Sequence, residues 1–224
     1  MERTIILAAL SCAFALLLIV SEYRRPRRLL WKTLASAMFS AAAILFLAGG
    51  RAPFYENGIA WGLLFSMAGD VLLALFDNQG RWRWFALGVG AFSGAQICYA
   101  CYFMGPGAGA GWGALLLTLA VFAVAMGGMC GLRLELGRMR FLVTVYSLLL
   151  AFSFAVSADG ALAAGSGQAW LMAAGMGLFL LSDVALLLKY FLPGAPRWLT
   201  GVNLSLYYLG QALLTVGMAI GGNG

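Results

Sequence analysis

Of 224 residues, 63% are apolar and only 10% charged, and the mean hydropathy is +0.92; a soluble domain has roughly 45–50% and about 25%. One soluble core cannot hide that much hydrocarbon, so the composition excludes a soluble globular domain and makes the bilayer the solvent. The net charge of +6 does not indicate nucleic acid, because the basic residues sit in short connections, and the absence of histidine removes the usual catalytic base and the commonest metal ligand.

Apolar stretches of spanning length follow one another at 4–22, 29–49, 58–76, 84–104, 112–131, 141–158, 168–188 and 199–220. They predict an all-α membrane protein, one domain over 1–224 built as a bundle of about eight transmembrane helices. The first stretch lacks an A-x-A cleavage site and runs into Tyr23-Arg24-Arg25-Pro26-Arg27-Arg28, so it reads as a retained span rather than a signal peptide. All the prolines (Pro26, Pro53, Pro106, Pro193, Pro196) fall between stretches, where a missing backbone donor does least harm. All the tryptophans (Trp31, Trp61, Trp82, Trp84, Trp112, Trp170, Trp198) lie close to the start of a stretch, as an interfacial belt requires.

Lysine and arginine set the orientation. Arg24, Arg25, Arg27, Arg28, Lys32, Arg81, Arg83, Arg133, Arg138, Arg140, Lys189 and Arg197 follow spans one, three, five and seven, and only Arg3 and Arg51 fall on the other side. The positive-inside rule therefore puts both termini outside the cytoplasm, in a multi-pass protein of the cell (inner) membrane. Gly90 and Gly94, and Gly127 and Gly131, are each four apart, a spacing that lets helix backbones approach closely. Cys98-x-x-Cys101 lies mid-span rather than in the βαβ context of a redox pair; with Cys12 and Cys130 it reads as small apolar side chains.

Two acidic residues lie deep inside spans: Asp70 in Phe65-Ser66-Met67-Ala68-Gly69-Asp70-Val71 and Asp183 in Leu181-Ser182-Asp183-Val184. A carboxylate at the centre of a span costs roughly 2.5–3.5 kcal/mol on insertion scales. It therefore faces the bundle interior and marks a functional site. Each aspartate follows a small residue, precedes valine, and is followed on the next span by a glutamine, Gln96 or Gln211. Spans one to four thus echo spans five to eight as two four-helix repeats of the same orientation, whose axis along the membrane normal brings the aspartates face to face. Each aspartate is about six residues, or roughly 10 Å, from the cytoplasmic end of its span. Lys32, Ser36 and Ser40 form a stripe at that level, as do Asn203, Tyr207 and Gln211, with Tyr208, Gln96, Tyr99 and Tyr146 nearby. Together they predict a polar pocket open to the cytoplasmic leaflet.

The Lys32 helix, the Phe-Ser-x-Ala-Gly-Asp segment ending at Asp70, the Gly88…Phe92…Tyr99 helix, the Leu-Ser-Asp segment ending at Asp183 and Tyr207-Tyr208-x-x-Gln211 occur in order across the eight spans. In this order the chain resembles the YhhN-like lysoplasmalogenases, over nearly its whole length. One position departs: the fourth helix of that family usually carries histidine where Gln96 stands. The resemblance implies a membrane hydrolase that cleaves the vinyl ether bond of a lysophospholipid, releasing a fatty aldehyde and a glycerophospho-alcohol. It implies no cofactor and no metal; the partner is the membrane lipid itself.

The residues suit that chemistry. Vinyl ether hydrolysis protonates the β-carbon and lets water capture the oxocarbenium ion, and two carboxyls close together in low dielectric split into acid and base roles. Asp70 and Asp183 are the expected pair. Lys32 is placed to meet the lipid phosphate, and Tyr207, Tyr208, Gln96 and Gln211, with Tyr99, Tyr146 and Asn203 at the same level, to hold substrate or water. A proton-coupled transporter would also use paired carboxyls, but such proteins often bind substrate at spans broken by Gly or Pro, and every proline here lies in a connection. An intramembrane aspartyl protease is disfavoured because Met67 stands where the Gly-x-Gly-Asp motif of presenilin-like proteases has its first glycine, and Asp183 lacks their preceding tyrosine. A zinc amidase lacks the histidines to hold its metal.

Overall fold

A computed structural model describes residues 2–21, 28–50, 57–105 and 111–221, with side chains from Ile6 to Leu17 in the first helix and from Leu30 in the second. It contains α1 (Glu2–Ser21), α2 (Arg28–Gly49), α3 (Gly58–Gln79), α4 (Trp82–Phe103), α5 (Trp112–Gly131), α6 (Arg140–Ala164), α7 (Gly167–Phe191) and α8 (Trp198–Gly221), with a short 3₁₀ turn at Gly137–Met139. The helices from α2 to α8 are long and apolar enough to cross a membrane, and α1 carries an apolar run over Ile6–Leu17. The protein is a multi-pass helical membrane protein, as helices are one of the two ways to satisfy backbone polar groups in hydrocarbon.

The predicted spans and the helices agree within a few residues, with one clear difference. The sixth stretch, 141–158, stops short of its helix, because Ala161, Leu162, Ala163 and Ala164 carry α6 on to Gly165. That glycine has φ +60 and its backbone N–H donates to Ala161 O, which ends the helix. Asp159 consequently lies inside α6, against Gly111 and Gly113 at the start of α5. The tryptophans of α2, α3, α4, α5, α7 and α8 sit in the first turn or so of their helices. Arg24, Arg25, Pro26, Arg27, Arg51, Pro53 and Pro106 lie outside the described residues, as do the side chains of Arg3 and Arg28.

The α3–α4 and α7–α8 pairs pack antiparallel. Phe76 meets Phe85 at one end of the α3–α4 pair, while at the other Gly58 lies against Cys98 and Tyr102. In the α7–α8 pair, Gln168 donates to Gly217 O and Asn203 to Ser182 O. These are the two most extensive helix pairs, and they hold the aspartate and glutamine positions that the sequence repeat equates. Beyond them the halves differ. The first helix packs on α2 and α8, and α8 also touches α2 and α3; α4 packs on α6, whereas α5 packs on α6 and on no other helix to a comparable extent. Between α3, α4, α7 and α8 the core is aromatic, with Phe179 edge-on to Phe92, Tyr99 and Tyr207 at 6.1, 6.3 and 5.4 Å.

The glycine spacing misidentified the close approaches. A Cβ placed on Gly90, Gly127 or Gly131 would meet nothing within 4 Å, and only Gly94 lies against another helix, at Phe65. The tight contacts use Gly58, Gly62, Gly69 and Gly88 between α3 and α4, and Gly175, Gly210 and Gly217 between α7 and α8. Spacing of four reports small residues on one face but not which face meets a neighbour. The cysteines are all free, with Cys98 buried and Cys12 and Cys101 partly so, while Cys130 is exposed.

Candidate functional site

Asp70 sits in the middle of α3, where Ser66, Gly69, Asp70 and Leu73 form the buried face. Only 2% of it is exposed. The Lys32 ammonium lies 3.2 Å from its Oδ1, and Ser36 Oγ and Tyr207 OH donate to its Oδ2 at 2.6 and 2.7 Å. Lys32 and Ser36 reach it together because they are one turn apart on α2, and Tyr207 comes from α8. One ammonium and two hydroxyl donors suit an ionised carboxylate. The expected role of Lys32 toward a lipid phosphate meets a different geometry: the residue is 7% exposed and its amine is paired with Asp70.

Around this pair runs a second layer. Tyr208 OH donates to Lys32 O at 3.2 Å and lies 3.1 Å from Ser36 Oγ. Tyr99 OH donates to Gln211 Oε1 at 3.1 Å and lies 3.2 Å from Ser66 Oγ. Ser40 continues the Lys32–Ser36 stripe into the core. Tyr207→Phe keeps the ring among Phe39, Phe92, Phe179 and Tyr208 but removes a donor to a charged group. We expect it to cost about 1.5–3 kcal/mol of stability, read as a lower thermal midpoint in detergent. An unchanged midpoint would mean that Asp70 does not depend on this donor.

Asp183 on α7 has different surroundings. It is partly exposed, and Tyr146 OH from α6 donates to its Oδ2. Gln96 on α4 accepts a hydrogen bond from Ser153 through Oε1. Its Nε2 is buried without a hydrogen-bond partner among the described residues, as are Gln211 Nε2 and Ser40 Oγ. Buried polar atoms of this kind are places for ordered water or a ligand atom. Asn203 is the one predicted residue turned elsewhere: its Nδ2 donates to Ser182 O and Oγ, both at 2.9 Å, and ties α8 to α7 beside Asp183.

The cavity found among the described residues is not the expected polar pocket shared by both aspartates. The polar side chains bond to one another and fill the interior, so the void lies beside them and is walled by hydrocarbon. A cavity of about 250 Å³ runs between α4, α5, α6 and α7, lined by residues such as Val89, Val121, Met129, Leu150 and Leu180, and Asp183, Tyr146 and Ser147 place polar groups on its wall. Asp70 does not line it. Sequence reasoning missed this cavity, and missed Ser66 and Ser153 as hydrogen-bond partners. A serine in an apolar span is too common to single out, whereas the sparse burial of α5 follows from its having one substantial neighbour.

No curated protein and no solved structure matches the chain. The match to the family model covers residues 27–218, which include Lys32, both aspartates, Gln96, Tyr146, Tyr207 and Gln211, and the chain belongs to the YhhN family.

Proposed function

We propose that the protein is a hydrolase of the cell (inner) membrane that cleaves the vinyl ether bond of lysoplasmalogen-type lysophospholipids. The observation that carries this reading is the unequal environment of the two aspartates. Asp183 has one hydroxyl partner and an apolar cavity in front of it, the surroundings of a carboxylic acid that keeps its proton. Asp70 is held by an ammonium and two hydroxyls, the surroundings of a carboxylate. Family membership supports a multi-pass membrane protein of this type.

In this mechanism Asp183 gives its proton to the β-carbon of the alkenyl chain, and the double-bond electrons form the new C–H bond. The resulting oxocarbenium ion is stabilised by the negative charge of Asp70 across the site. Water adds to the cationic carbon and returns a proton to Asp183, giving a hemiacetal. The hemiacetal hydroxyl then gives up its proton to form the carbonyl as the C–O bond to the glycerol breaks, and the departing oxygen takes a proton, releasing aldehyde and the glycerophospho-alcohol. Gln96 and Gln211 stand behind the cavity wall, each with a buried amide nitrogen that has no hydrogen-bond partner among the described residues, and Tyr146 fixes the Asp183 carboxyl. Lys32 acts here by holding Asp70 in place and charged.

The test is hydrolysis of a lysoplasmalogen in D₂O by purified protein in detergent. Aldehyde carrying one deuterium on the carbon next to the carbonyl is expected, since protonation of the β-carbon is the step assigned to Asp183. Aldehyde without deuterium there would sink the mechanism. Uptake of labelled lysophospholipid into vesicles with no aldehyde would replace it by transport.

A further inference from the structure

We infer that substrate reaches Asp183 sideways from the bilayer, through a portal between α5 and α7 that admits one hydrocarbon chain and leaves most of that chain in the lipid. The inference rests on the reaction assigned above.

Three observations point to the portal. The first is the isolation of α5, which packs on α6 and leaves its flank toward α7 without a comparable contact. The second is exposure: Val124 on α5 is 76% exposed and Val184 on α7 is 46% exposed, yet both line the cavity that contains Asp183. A residue that faces both the outside and the void marks an opening. The third is level. Val124 and Asp183 are each about seven or eight residues from the ends of their helices, hence about 10–12 Å in at 1.5 Å per residue. The opening therefore lies at the depth of the carboxyl and faces hydrocarbon.

Volume decides what fits. About 250 Å³ falls below the roughly 300–1,000 Å³ of pockets that enclose a drug-sized ligand. A long-chain lipid can place only its reacting end inside, so its tail stays in the bilayer. Because that tail has the same hydrocarbon around it before and after binding, lengthening it gains almost no transfer free energy. Beside the opening, Gly128 also lines the cavity, and a Cβ there would meet nothing within 4 Å.

The test places the protein in nanodiscs with a lysophosphatidylcholine bearing a diazirine on its chain, and with lysoplasmalogens of graded chain length. Photolabel is expected on α5 and α7 around Val124 and Val184, and Val124→Trp should reduce it. The same variant should lower kcat/KM about tenfold or more with a smaller change in kcat, because it obstructs binding rather than chemistry. Leu116→Trp, a bulky change at an exposed α5 position away from the cavity, should leave both unchanged. Beyond the shortest chains, kcat/KM should vary by no more than about threefold with length. Label elsewhere in the bundle, or portal label that Val124→Trp does not reduce, overturns the portal. If wild type labels at the portal but releases no aldehyde, the portal stands and the assigned reaction falls.

Discussion

Asp70→Asn is expected to abolish turnover and also to unfold the protein more easily, whereas Asp183→Asn abolishes turnover and leaves stability close to wild type. The difference follows from what each carboxyl holds. Asp70 is the counter-charge of Lys32 at 3.2 Å, and both side chains are over nine-tenths buried. Removing one member of such a pair strands the other charge, which costs about 3–5 kcal/mol. Asp183 accepts one hydrogen bond, from Tyr146, and an asparagine oxygen can accept the same bond. Loss of a general acid typically costs about 10²–10⁴ in rate and loss of one electrostatic stabiliser about 10²–10³, so aldehyde release should fall by at least about 10² in both variants.

A double variant separates the two functions of Asp70. In Lys32→Met with Asp70→Asn no charge is stranded, and replacing a buried pair by less polar groups is often neutral. The thermal midpoint in detergent should recover most of the loss while aldehyde release stays at the level of Asp70→Asn. Recovery of activity with stability would show that Asp70 is only a structural partner of Lys32. An Asp183→Asn variant retaining more than about a tenth of wild-type rate would remove Asp183 from the acid role.

The eight helices were legible because the bilayer forces one solution on every long apolar stretch, and prolines and tryptophans mark the borders. Asp70 and Asp183 stood out for the same reason, the cost of a carboxyl at that depth. Which residue serves which carboxyl was less legible. Lys32 is near a helix end, so its sequence position suggested an interfacial head group, yet its stem is long enough to turn inward onto Asp70. Asn203 shares a helical face with Tyr207 and Gln211, but one turn of displacement along α8 puts it against Ser182. The cavity could not be read at all. It is a gap between α5 and its neighbours, and a gap depends on which helices fail to meet. The repeat in the sequence predicted like halves and gave no sign that α1 would pack on α8 while α5 would not pack on α4 to a comparable extent.

Gly210→Val is expected to disable the protein, and Gly127→Val, drawn from a pair with the more conspicuous spacing, is expected to be silent. A Cβ on Gly210 would fall 2.8 Å from Gly175 O and 3.2 Å from the Phe179 backbone nitrogen; one on Gly175 would fall 3.0 Å from Gly210 O. These neighbours are backbone, so no side chain can swing aside and the helices themselves must separate. Overpacking of this kind costs about 1–3 kcal/mol. The functional loss should be larger than that figure suggests. Asp183 rides on α7 while Tyr207 and Gln211 ride on α8, and Tyr207 bonds Asp70 within one turn of the crossing. A displacement of about 1 Å in a catalytic constellation can cost about 10²-fold in rate, so Gly210→Val should lower kcat by that order even where the protein still folds. Gly127 is exposed and its Cβ would meet nothing within 4 Å, so its valine variant should keep wild-type midpoint and rate. Paired measurements of midpoint and turnover on the two variants check this; equal effects would mean that α7 and α8 do not cross at these two glycines.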